Sequence, residues 1–256
     1  MRVQIVKNVT KEYPEMYKVL IYKQPRVFIS SDAPKRKKEI VSDEEYTPAI
    51  SSLNRTKTLV KDIVLCNDFE LFCTFTFDPK KIDRFNLYQC WGKMSRWLHH
   101  QKERANAFGS DFKYLIIPEQ HKSGAWHFHA LISGYKGSLH DSGLRSASLR
   151  PIYNITSFRS GFTTAVEIDS KEGVSSYITK YITKDFITTF NQRRFFCSRN
   201  LARPTKVINS PVFRNTLPLF RIQTGNSMET EEYLLPKLDF DKKTTTSLVS
   251  LPIKYH

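Results

Sequence analysis

Residues 114–132 read "YLIIPEQHKSGAWHFHALI". "YLIIPEQ" and "WHFHALI" are rich in β-branched and aromatic residues, and "HKSGA" between them has turn character. The stretch predicts two neighbouring strands joined by a short connection. In the second strand, His127 and His129 stand two apart, so they share one face and Phe128 takes the other. A bare His-x-His is more often a hydrogen-bonded pair inside a sheet than a metal site. Here the flanking Trp126, Phe128, Ala130, Leu131 and Ile132 predict a buried strand, where polar rings need strong partners. The first strand ends in Glu119, which places a carboxylate near the pair. Two imidazoles and one carboxylate make an incomplete shell for a divalent metal, open to water or a phosphate oxygen. Glu119 and His121 compete for the third position.

Outward from this hairpin the pattern stays mixed. Upstream, "FELFCTFTFDP" predicts a buried strand ended by Pro79. "DRFNLYQCWGKMSRWLHHQKERANAF" follows, with Phe85, Tyr88, Trp91, Met94, Trp97 and Leu98 at helical spacing and Asp83 as N-cap. Downstream, residues 134–150 collect Gly and Ser and predict a loop. "PIYNITSF" and "GFTTAVEI" are strand candidates, and "DSKEGVSSYITKYITKDF" is a helix opened by the capping pair Asp169 and Glu172. Hairpin-length links among helices imply an α+β fold with a mainly antiparallel sheet. Residues 1–54 are weakly patterned, with the apolar run "YKVLIY", the basic "PKRKKEI" and the acidic "SDEEY". They read as an N-terminal extension with one or two edge strands. Residues 206–256 read as a C-terminal extension that wraps the domain or is partly mobile.

On the last helix Tyr177 and Tyr181 stand at i and i+4, on one face. Val174, Ile178, Ile182 and Phe186 form its apolar stripe; Lys180 and Lys184 point away. Alone, this is an ordinary amphipathic helix. Beside a paired-His strand, the tyrosines become candidate nucleophiles. A phenol with a pKa of about 10 is a poor nucleophile unless the phosphate it attacks is polarised.

The 256 residues carry 40 Lys plus Arg against 25 Asp plus Glu, a formal charge of +15. That imbalance calls for a polyanion, nucleic acid first and an anionic membrane second. No apolar run is long enough to span a bilayer and no signal-peptide core is visible. Cys66, Cys73, Cys90 and Cys197 form no Cys-x-x-Cys pair, which argues against a zinc ribbon and fits free thiols in a reduced, cytoplasmic setting. Cys73 and Cys90 are expected in a core.

"WHFHALI" resembles the His-hydrophobic-His motif of the HUH endonucleases. "YITKYITK" resembles the two-tyrosine motif of their rolling-circle replication initiators, and "FCTFTFDP" their first motif. With "RFFCSRNLARP" added, residues 55–205 are similar to replication-associated proteins of bacterial phages, plasmids and integrated elements. The resemblance implies a ferredoxin-like or RRM-like sheet with the His-x-His strand central and helices packed on one face. It implies Mg²⁺ or Mn²⁺ held by His127, His129 and, less directly, Glu119, and attack by Tyr177 or Tyr181 on single-stranded or hairpin origin DNA. A 5′-phosphotyrosine link and a free 3′-OH would result, in a bacterial host cell that supplies helicase and polymerase. Lys180 or Lys184 would stabilise charge or orient a tyrosine. Arg193, Arg194 and Arg199 are candidate DNA contacts, or equally a solvated basic turn. The same chemistry serves relaxases and transposases, and a non-catalytic basic repressor is the rival of another class.

Overall fold

The structure is a computed structural model and describes residues 2–30, 50–182, 194–210, 223–226 and 230–237. In chain order the N-terminal elements are β1 (Arg2–Glu12), β2 (Met16–Ser30), α1 (Ile50–Leu65) and β3 (Leu71–Phe77). Next come α2 (Leu87–Ala107), β4 (Lys113–Gln120), β5 (Trp126–Ser133), β6 (Leu139–Arg145), β7 (Pro151–Ile155) and β8 (Gly161–Glu167). They are followed by α3 (Lys171–Ile178), a 3₁₀ turn at Thr179–Tyr181, β9 (Phe196–Cys197), β10 (Thr205–Ile208), β11 (Gln223–Asn226) and β12 (Thr230–Pro236). The fold is α+β, with two antiparallel sheets. No helix among the described residues is long and apolar enough to cross a membrane.

The chain divides into two compact units: Met1–Ile40 with Arg203–His256, and Val41–Ala202. In the first, N- and C-terminal segments join in one sheet of order β10-β1-β2-β12-β11. The run "YKVLIY" lies in β2, where Val19 packs against Leu235 of β12. The basic "PKRKKEI" and acidic "SDEEY" lie outside the described residues.

The second unit is built on a sheet of order β6-β7-β8-β3-β5-β4-β9, so the His-x-His strand β5 is interior, between β3 and β4. β3 alternates strictly: Leu71, Cys73, Phe75 and Phe77 are buried, while Phe72, Thr74 and Thr76 face the other way. The buried set meets Cys90, Met94, Trp97, Leu98 and Ala105 of α2, together with Phe128 and Ala130 of β5. These α2 positions recur every three to four residues, the spacing of one helix face.

The helices occupy both faces rather than the single face expected. α2 alone covers one. On the other, Leu53, Val60 and Ile63 of α1 and Ile178 of α3 pack on Leu115, Ile117 and Leu131. The reason lies in β4 and β5, which are apolar on both faces over this half of the sheet and so need cover on each.

Three local expectations change. α2 is capped by Asn86, whose side chain accepts from the Gln89 N–H, not by Asp83. Asp83 instead accepts from the Phe85 N–H at 3.0 Å, closing a turn that delays the helix and leaves Phe85 and Tyr88 exposed. The segment read as a loop over 134–150 contains β6, an edge strand whose mostly exposed residues need no apolar alternation. α3 is capped by Ser170, which accepts from Gly173, while Asp169 pairs with Arg150. The helix also ends early, at Ile178, before the 3₁₀ turn. All four cysteines are free thiols, and Cys73 and Cys90 are fully buried, as expected.

Candidate functional site

Strand register assembles the site. β3 and β5 pair Thr74 with His129 and Thr76 with His127; β4 and β5 pair Ile117 with His129 and Glu119 with His127. Directly opposed residues share a face. Glu119, His127 and Thr76 therefore form one row across three strands, and Ile117, His129 and Thr74 the next. Each threonine hydroxyl meets a ring nitrogen: Thr76 Oγ1 lies 3.0 Å from His127 Nδ1, and Thr74 Oγ1 3.2 Å from His129 Nδ1. Engaging Nδ1 fixes each ring and leaves Nε2 for another partner. His129 Nε2 meets Glu119 Oε2 at 2.6 Å.

The electrostatics favour neutral imidazoles. Burial lowers the His127 pKa below its ordinary value, the nearby His121 and Arg84 lower it further, and Glu119 opposes them. Burial likewise lowers that of His129, against the Glu119 hydrogen bond. Neutral imidazole is the form that ligates metal.

The tyrosines close over this row. The Tyr181 ring stacks on His129, with centroids 3.5 Å apart and planes 15° from parallel. Tyr177 meets Phe72 edge-on at 5.2 Å. The Tyr181 hydroxyl donates to the Tyr177 hydroxyl at 3.0 Å, so the two phenolic oxygens converge. Burial, then the Tyr177 hydrogen bond, hold the Tyr181 pKa well above the ordinary tyrosine range. Tyr177 is the more open of the two, at 44% exposure. The 3₁₀ turn keeps both on one side because it still advances Tyr181 about one helical turn from Tyr177.

The remaining candidates fall into three groups. Lys180 is next to the site, its Nζ 5.0 Å from the Tyr177 ring centroid. His121, the rival third ligand, is exposed; its Nδ1 bonds Ser123, and its ring lies 5.6 Å from that of His127. Glu119 is the carboxylate that reaches His129. Arg194 donates to Ser52 and Thr56 of α1 at 3.0 Å each, a bond that ties two segments together, and Arg199 is exposed. Lys184 and Arg193 lie outside the described residues.

Sequence reasoning missed Thr74, Thr76 and Arg84. The threonines were visible as polar residues at every second position of "FCTFTF", but only the register shows that they face the histidines. Arg84 lowers the His127 pKa, and its buried Nε has no hydrogen-bond partner.

His127, His129 and Glu119 are the side chains here able to hold a divalent cation: two neutral nitrogens and a carboxylate. Among the described residues, no three His, Cys, Asp or Glu are already grouped around one point as a metal centre. Glu119 and His129 instead bond each other directly through the atoms a metal would take.

Residues 70–186 match a family model for the replication-associated protein ORF2. No curated protein and no solved structure matches the chain. The matched segment covers under half of the 256 residues, yet it holds Glu119, His127, His129, Tyr177 and Tyr181. Over residues 70–186, from the start of β3 past the second tyrosine, this chain is similar to the ORF2 family of replication-associated proteins.

Proposed function

We propose that the chain is a replication initiator that nicks single-stranded DNA through a tyrosine, leaving a 5′-phosphotyrosine and a free 3′-OH. The observation that carries this reading is the convergence of two tyrosine hydroxyls over a row of Glu119, His127 and His129, within a segment similar to a replication-associated family.

A divalent cation, Mg²⁺ or Mn²⁺, fits Glu119, His127 and His129 as a hard-to-borderline O, N, N donor set. When bound it supplies Lewis-acid polarisation of a phosphate oxygen. The chain's own residues do the rest. Thr74 and Thr76 hold the imidazoles in one orientation. Burial keeps those imidazoles uncharged. Tyr177, the more exposed hydroxyl, attacks first; its oxygen bonds phosphorus, and the bond from phosphorus to the 3′ oxygen breaks. The departing oxygen takes up a proton and becomes the 3′-OH. Tyr181, whose ionisation is disfavoured, stays protonated in this step and takes the second cleavage, when strands are rejoined. Lys180, against the Tyr177 ring, is placed to offset charge that develops on the phosphate. The +15 chain draws in the polyanion.

The test is a covalent one. The full chain is incubated with a single-stranded oligonucleotide carrying its own replicon's origin, with Mn²⁺, and run on a denaturing gel. A protein–DNA band that disappears with EDTA and in the Tyr177→Phe/Tyr181→Phe double variant supports the reading. Tight binding with no band on that origin would favour the non-catalytic repressor. Relaxase or transposase activity would appear as an adduct on a transfer origin or an element end instead of a replication origin.

A further inference from the structure

The row that holds His127 continues one strand further. Thr76 pairs with His127 of β5 on one side and with Phe162 of β8 on the other. Phe162 therefore shares the face of the histidines, two strand spacings from His127, or roughly 10 Å. β8 alternates as β3 does: Thr163 and Ala165 are buried towards α2, and Phe162 is 71% exposed on the opposite side. A single exposed phenylalanine is ordinary on a protein surface. This one differs in where it stands and in how firmly it is held.

Gly161, just before it, lies so close to β3 that a Cβ would run into the Thr76 carbonyl oxygen. The Asp78 N–H donates to Ser160 O at 3.0 Å, so β8 begins clamped against the end of β3. Cations gather at the same clamp. Lys81 Nζ donates to the Arg159 carbonyl at 3.0 Å, and the Arg159 side chain is exposed beside it in sequence. α1 and α3 cover the apolar half of this face, away from this corner.

An open aromatic ring on a rigid strand with cations alongside is the arrangement that binds single-stranded nucleic acid without sequence preference: the base stacks and the cations take the phosphates. We infer that Phe162, with Lys81 and Arg159, forms a subsite that stacks an unpaired base of single-stranded DNA close to the scissile phosphate. The inference rests on the nicking function proposed above, and it assigns one end of the DNA path to a defined corner of the sheet.

Binding without chemistry tests it. A fluorescein-labelled oligo(dT) is titrated in EDTA against the full chain carrying Tyr177→Phe, and anisotropy is read. Phe162→Ala should weaken binding by roughly five- to a hundredfold, and Phe162→Trp should retain it. Lys81→Ala and Arg159→Ala should each lower the slope of log affinity against log salt by about one. An unchanged affinity in Phe162→Ala, with an unchanged melting curve, would overturn the subsite. So would a loss of self-association in Phe162→Ala by sedimentation, which would make this corner a contact between copies. The two proposals fail separately. Weakened binding in Phe162→Ala with no adduct in the parent keeps the subsite and removes the nicking, and an adduct with neutral Phe162→Ala does the reverse.

Discussion

On one face of β3 and β5, Cys73, Phe75, Phe128 and Ala130 are fully buried beneath α2. On the other face of the same two strands stand Thr74, Thr76, His127 and His129. Alternating residues of one pair of strands thus serve two purposes. The α2 face is apolar throughout and asks nothing of hydrogen bonding. The opposite face is apolar only where α1 and α3 sit; beyond them each imidazole has its own hydroxyl partner. Polar groups can therefore occupy a near-buried strand when neighbouring strands bring their partners in register. The same alternation separates residues that hold the sheet from residues that act on its surface.

Substitutions on the two faces should separate accordingly. The largest effect belongs to His127→Ala/His129→Ala: adduct formation should fall below detection on a denaturing gel, while far-UV circular dichroism stays native. Next is Phe128→Ala, at the centre of the α2 face and edge-on to Phe77 at 5.2 Å. It should remove about 3–5 kcal/mol of stability in a urea titration. Thr74→Val and Thr76→Val keep the β-branched shape and delete only the hydroxyl. They should lower Mn²⁺ affinity about 10- to 100-fold by calorimetry and leave the urea midpoint nearly unchanged.

The smallest effect is that of pH on the metal-free protein. His127 and His129 have lowered folded-state pKa values, so below the ordinary histidine value of about 6.5 the unfolded chain binds protons that the folded chain does not. Stability should therefore fall as pH drops below that value and level off beneath the folded pKa values. Mn²⁺ affinity should fall with it, because protonated imidazole cannot ligate. Loss of both pH dependences in His127→Ala/His129→Ala would tie them to this pair.

Much of the sheet was legible in the sequence because its signals are local. Strong alternation marked β3 and β8, and the apolar runs marked β4 and β5. The i, i+4 spacing put Tyr177 and Tyr181 on one face. What escaped depends on pairings between distant segments. α1 was hidden in a weakly patterned stretch, because "ISSLNRTKTLVKDIVL" spreads few apolar residues among polar ones and is stabilised by packing on Leu115 and Ile117. The joining of β1 and β2 with β10 and β12 links the two ends of the chain, which no local pattern can report. The same limit hid Thr74, Thr76 and Phe162. Their residue types were plain, but the face they share with the histidines follows only from the register of β8, β3 and β5.

The central claim is that the polar face is a tyrosine-dependent nicking site whose first nucleophile is Tyr177. It is tested most directly by isolating the protein–DNA adduct after a single turnover with Mn²⁺, digesting both components, and locating the nucleotide by peptide mass spectrometry. The nucleotide should sit on Tyr177, and in the Tyr177→Phe variant it should move to Tyr181 at a lower rate. An adduct on any other residue, or one that persists in Tyr177→Phe/Tyr181→Phe, would contradict the claim.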